Sequence, residues 1–178
     1  MNNLNTNGAY DIVSKLLHWT IAVLLIGLIA LGWYMMSIED QPDSGWYFKM
    51  HKSFGLIAAT LILFRLIWRL FHTPAPLPSS IPLWQAKAAR GLHFLLYIFM
   101  ILMPLTGFLG ASFSEHGVNF FSLKLPTWIA ENKDISEQFF EAHGIIAWIL
   151  VTLISLHALA AFKHFFINKD GVFQRMWF

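Results

Sequence analysis

The sequence predicts an all-α fold, an integral membrane four-helix bundle with both termini cytoplasmic. Three observations predict it. Of 178 residues, 57% are hydrophobic and 12% charged, and the mean hydropathy is +0.56, an apolar share above that of ordinary soluble domains. The chain holds four separate windows of roughly 20 mainly apolar residues, the length that crosses a bilayer as a helix. The basic residues, finally, collect on alternate connections between those windows.

The first span covers residues 16–36, with no acidic or basic side chain inside it. A cleaved signal would combine a basic leader, a shorter apolar stretch and a small-residue cleavage site. Here Lys15 alone precedes a long run that ends in Trp33 and Tyr34, so the segment is expected to be retained. The second span covers 53–71 and carries Arg65 and Arg69 near its end. The stretch from Pro74 to Pro82 cannot continue a helix and reads as an extended surface connection. The third span covers 91–113 and the fourth 140–166. Between them, residues 114–139 include Pro126 and Trp128, and Ser136 ahead of Glu137 is expected to cap the start of the last helix. Trp46, Tyr47 and Trp128 suit the outer interface, where aromatic rings with polar edges are enriched. No sequence repeat is evident, and residues 1–178 read as one transmembrane domain in a lipid bilayer.

Charge orients the bundle. Lys15, Arg65, Arg69, Lys87, Arg90, Lys163, Lys169 and Arg175 lie at the N-terminus, the second-to-third connection or the C-terminus. The positive-inside bias places those segments in the cytoplasm. The other two connections hold Lys49, Lys52, Lys124 and Lys133 beside Glu39, Asp40, Asp43, Glu115, Glu131, Asp134, Glu137 and Glu141, and are therefore outside. The pI near 9.0 is then a mark of topology. With a formal net charge of +2 and no basic block, the chain is not built to neutralise phosphates, and no nucleic-acid partner is expected.

Eight histidines in so apolar a chain are its most informative feature, because an ionisable group at membrane depth is costly and needs a partner. The absence of cysteine rules out thiolate ligation and a covalently attached c-type haem, so any haem is held non-covalently. His18 lies near the inner end of the first span, His51 and His143 at the outer ends of the second and fourth, and His157 deeper on the fourth. The fourteen positions from His143 to His157 cover about 21 Å of helix and nearly four full turns, so both rings leave the same face. The depths match as His51 with His143 and His18 with His157, two axial pairs for two haem b groups. Bis-histidine ligation closes the iron to other ligands and favours electron transfer.

The remaining polar side chains leave alternatives open. His72 and His116 lie in connections and are expected to be solvated. His93 finds no depth-matched ligand position, which leaves an interfacial histidine or a quinone or proton role. His164 shares the face of His157, positioned to exchange protons with a reduced quinone or to touch headgroups. Arg65 and Arg69 share a helix face near the inner haem's depth. Pairing with haem propionates and snorkelling to the interface explain them equally well. Lys49 and Lys52 flank His51 with the same choice. Gly27, Gly32, Gly55, Gly107 and Gly144 allow close approach of helices or of a haem face.

His18 followed by Trp19, the run Met50-His51-Lys52-Ser53-Phe54-Gly55, Arg65 and Arg69 closing the second span, and Leu156-His157-Ala158 resemble the bacterial cytochrome b561 family over nearly the whole chain. The ending Lys163-His164-Phe165-Phe166 through Lys169-Asp170-Gly171 to Gln174-Arg175-Met176 resembles that family's C-terminal signature. The resemblance implies a four-helix inner-membrane bundle with two haem b groups on His18, His51, His143 and His157, in exchange with ubiquinone as electron acceptor or donor. One branch is similar to enzymes that oxidise superoxide at the periplasmic face. Others serve as haem-binding anchor subunits for a periplasmic redox partner, a hydrogenase or dehydrogenase. A metal or proton transporter using these histidines would be expected to carry companion carboxylates deep within the spans, and only Glu141, at the outer edge of the fourth, falls inside one.

Overall fold

The computed structural model describes residues 8–73, 76, 78, 81–126 and 129–178; Trp128 and the start of the proline-rich connection lie outside them. Four long helices run in sequence: α1 (Ile12–Ser37), α2 (Ser44–Phe71), α3 (Leu83–Phe113) and α4 (Lys133–Phe162). Each is long and apolar enough to cross a membrane, and each begins four to nine residues before the apolar window that marked it, because polar turns at the membrane surfaces continue the helical hydrogen bonding; α4 ends at Phe162, where the π-helical turn Lys163–Asn168 takes over.

Local chemistry sets the helix starts. The Asp11 carboxylate caps α1 by accepting from the Ser14 backbone N–H at 2.9 Å and the Ser14 hydroxyl at 2.6 Å, an N-terminal arrangement that satisfies otherwise orphaned donors. It also accepts from the Trp68 indole of α2 at 3.2 Å. Partial burial would raise this carboxyl, but the bonds from Ser14 and Trp68 outweigh it and hold Asp11 below its ordinary range. Ser136 does not begin α4, contrary to the expectation from sequence. Asn132 is the cap, accepting from the Ile135 N–H at 3.1 Å. The buried Ser136 hydroxyl instead donates to the Gly110 carbonyl of α3 at 2.9 Å, because its side chain faces the neighbouring helix.

The helices pack as two pairs. Ile21, Ala58 and Ile62 form the seam between α1 and α2, whereas Leu96, Ile146, Leu150 and Leu153 form the seam between α3 and α4; Met100 packs against both. The outward faces carry Val23, Leu70, Trp148 and Leu159, each more than three-fifths exposed, as lipid-facing side chains should be. The termini meet on one face. Tyr10 N–H donates to the Arg175 carbonyl at 3.0 Å, Arg175 Nε to the Gly8 carbonyl at 2.8 Å, and the Trp19 indole to the Met176 carbonyl at 2.9 Å.

On the opposite face, β1 (Asn119–Phe120) and β2 (Leu123–Lys124) form a short antiparallel hairpin. Its turn is pinned to α2 beside His51. The Phe121 N–H donates to the fully buried Ser53 hydroxyl oxygen at 2.6 Å, and that hydroxyl donates to the Lys49 carbonyl at 2.7 Å. Lys52 Nζ donates to the Gly117 carbonyl at 2.9 Å. Phe121 adopts φ 51°, an unfavourable angle for a bulky residue that such anchoring sustains. Ser53→Ala is expected to cost about 1–3 kcal/mol by leaving the Phe121 N–H without its acceptor. Amide exchange should quicken at Phe121 and its neighbours while the bundle helices keep their protection.

Candidate cofactor-binding site

The four predicted ligands all face the interior, and α4 supplies one member of each pair. The His51 and His143 ring centroids are 6.2 Å apart with planes at 81°. Those of His18 and His157 are 6.0 Å apart with planes at 78°. Each pair joins one member of the α1/α2 unit to the α4 helix of the other unit, in the space between the two apolar seams.

These spacings fit an iron between two imidazoles. With a metal-to-imidazole-nitrogen bond of about 2.0–2.1 Å and a ring centroid about 1.1 Å behind the nitrogen, two axial ligands stand about 6.3 Å apart. His93, on α3, discriminates between candidates. Its ring lies 5.2 Å from His157 in an edge contact, too close to leave a metal between them. The structure therefore places His93 beside the inner pair, in edge contact with His157, a position that the sequence, lacking a depth-matched partner for it, left unassigned.

Two further features fit a cofactor at the outer pair. A Cβ on Gly107 would stand 2.9 Å from His143 Cε1, and one on Gly32 would stand 3.3 Å from His51 Cε1. Both glycines are notches that seat an imidazole against a helix backbone, whereas a Cβ added at Gly27, Gly55 or Gly144 would meet nothing within 4 Å. His143 Nδ1 lies 3.0 Å from the Met103 carbonyl oxygen. A carbonyl only accepts, so Nδ1 carries the proton and Nε2 keeps its lone pair for a metal.

The arginines are engaged locally. Arg65 Nη1 donates to the Ser14 carbonyl at 2.9 Å, four residues before His18. The Arg69 guanidinium lies 5.8 Å from the centre of the Tyr97 ring. Both line a small polar recess with Tyr10, Ser14, His72 and Tyr97. His72 is exposed but stacks on Trp68 at 3.9 Å, and exposed His116 lies 3.3 Å from Glu115. Lys52, bonded to Gly117, is a hairpin anchor.

His164 has a partner that sequence reasoning missed. It sits in the π-helical turn Lys163–Asn168 that ends α4, and its Nδ1 donates to Asp170 Oδ2 at 2.6 Å, with the two side chains only 18% and 13% exposed. Burial pushes the Asp170 carboxyl up, but the bonds from His164, the Val172 N–H and Asn168 prevail and keep it below its ordinary range. The pairing depends on Lys169, which at φ 52° turns the chain back. An acid six positions after a histidine has no regular-helix meaning, so only the π-turn brings them together. Beside Trp19, an apolar groove of about 600 Å³ runs between α1 and α2, lined by Trp19, Thr20, Val23, Ile57, Leu61 and the terminal Phe178, among others.

Four spanning helices that aim paired histidine rings at one another are the build of a membrane electron-transfer cytochrome. Residues 9–178 match the family described as prokaryotic cytochrome b561, and the chain belongs to that family. It is 31% identical to cytochrome b561 homolog 2 of Escherichia coli (strain K12), across 99% of this chain and 95% of that protein. Cytochrome b561 homolog 1 of the same organism is 28% identical, covering 90% and 92%. A Yersinia pestis protein named probable superoxide oxidase CybB is 27% identical, covering 90% of each. Membership implies b-type haem, electron transport and a multi-pass place in the bacterial inner membrane.

Proposed function

We propose that the chain holds two b-type haems, one toward each membrane face, and passes single electrons between an outer donor and a quinone at the inner face. The observation that carries this reading is the recurrence of the axial spacing, 6.2 Å near the outside and 6.0 Å near the inside. Haem b, when bound, supplies reversible one-electron chemistry. His51 and His143 would hold the outer group, and His18 and His157 the inner one. Arg65, beside Ser14, and Arg69, over Tyr97, stand at the inner group's level, where their charge would compensate propionates.

Quinone reduction consumes protons as well as electrons. The His164–Asp170 pair supports a proton route at the cytoplasmic surface, since the Asp170 carboxylate accepts from His164 Nδ1 and so orients the ring. The apolar groove beside Trp19 supports the accommodation of a prenyl tail next to His18, its polar end toward Thr20 and the C-terminal segment.

Superoxide is the donor that the Yersinia relative's name suggests. A second reading, an anchor that discharges a separate basic periplasmic protein, is favoured by the outer surface. Two of its four lysines are already committed, Lys52 to the Gly117 carbonyl and Lys133 to Glu137 at 3.7 Å. The outer connections hold eight acids, a field that repels an anion and attracts a cationic partner. The test is a reduced-minus-oxidised spectrum with haem counted per chain, followed by a superoxide flux over the oxidised protein. Two haems reduced by superoxide, and not when dismutase is present, establish the oxidase reading. Two haems that stay oxidised support the anchor reading, and fewer than two haems refute the paired arrangement.

A further inference from the structure

The two imidazoles of the outer pair are held differently. On α3, the Thr106 hydroxyl lies 2.9 Å from the Leu102 carbonyl and 3.0 Å from the Met103 carbonyl, bonds in which it can only donate. Its oxygen lone pair remains available, and it lies 3.3 Å from His143 Nδ1. With the Met103 carbonyl at 3.0 Å, the His143 Nδ1–H thus has two acceptors on one turn of α3. His51 Nδ1 is buried and has no hydrogen-bond partner among the described residues. The backbone it rests against belongs to Gly32, where a Cβ would stand 3.8 Å from that nitrogen.

A hydrogen bond from Nδ1–H to an acceptor increases electron density on Nε2, and a more basic axial ligand stabilises the ferric over the ferrous state. We propose that Thr106 is a positioning residue that acts through His143, and that the outer haem is poised by an unequal pair: His143 as the strong donor, His51 as the weak one. Because Gly32 has no side chain, nothing on α1 supplies His51 with an acceptor, so the weak ligand is a consequence of the same notch that seats its ring. The inner pair has no counterpart of Thr106 among the hydrogen bonds of the described residues, so the device distinguishes the outer site from the inner one.

The inference rests on the two-haem reading, and the test keeps the two separable by counting haem first in the intact protein. If the intact chain binds fewer than two haems, that reading fails and the proposal falls with it. With two haems bound, optical redox titration of the full chain assigns the outer midpoint as the one lost in His51→Ala. Thr106→Val preserves the shape of the side chain and removes the acceptor. It should retain both haems and move the outer midpoint to more positive potential, by the equivalent of a roughly 2- to 12-fold change in the ferric-to-ferrous ratio at fixed potential, the usual range for one hydrogen bond. Thr106→Ser should restore the intact value. Gly32→Ser places a hydroxyl beside His51 Nδ1 and should move the same midpoint negative relative to Gly32→Ala, which adds the Cβ alone. An outer midpoint unchanged in Thr106→Val with both haems present, or equal in Gly32→Ser and Gly32→Ala with both haems present, overturns the proposal.

Discussion

If the chain holds two haems as proposed, His143→Ala is expected to leave one per chain, with the remaining haem spectrally unchanged. The expectation follows from the separation of the pairs. His143 faces His51 alone, and the fourteen residues to His157 place the inner pair about 21 Å of helix away. A bis-histidine site that loses one ligand keeps an open iron position and a cavity the size of the missing ring. At a site this shallow, water enters that cavity and the group dissociates. His93→Ala is the informative comparison. Its ring is within 5.2 Å of His157 but too near to share a metal with it, so this variant should keep both haems. Extraction and counting of haem in the two proteins decides the matter: loss in His93→Ala, or retention of two haems in His143→Ala, would show that the rings are paired otherwise.

Gly107→Ala should weaken the outer site without altering any ligand. The added Cβ would lie 2.9 Å from Cε1 and 3.1 Å from Nδ1 of His143, closer than carbon atoms tolerate, and the ring cannot retreat without breaking its bond to the Met103 carbonyl. Overpacking of this kind typically costs about 1–3 kcal/mol, which corresponds to roughly 5- to 140-fold in haem affinity if the strain falls on the bound state. Titration of the depleted protein with haemin should show one site weakened by that factor and the other untouched. Equal weakening of both sites, or of neither, would mean that the notch does not seat the ligand. Gly144, with open space around it, serves as the matched control, because an alanine there meets nothing.

The number and order of the helices were legible in the sequence because they depend on quantities that run along the chain: apolar length and the rise per residue. The depth of each histidine belongs to the same class, since helix geometry converts a residue number into a height. Ser136 shows where such reading stops: the residue has the right type for a cap, but its rotation about α4 turns it toward Gly110, and a helix start further upstream takes Asn132 instead.

What tertiary structure alone decided is every relation set by the rotation of one helix against another. Depth left His93 without an assignment; only the 5.2 Å contact shows it against His157. Composition marked five glycines as equivalent, and packing made notches of Gly32 and Gly107 because an imidazole from another helix rests on each. Thr106 carries no sequence signal, since a threonine bonding to its own helix is common, and its nearness to His143 arises from the α3/α4 seam. Asp170 meets His164 only because a π-turn and a left-handed Lys169 reverse the chain. Heights are one-dimensional and were encoded in the spacing of residues, whereas azimuths and chain reversals emerge only when the helices choose their neighbours.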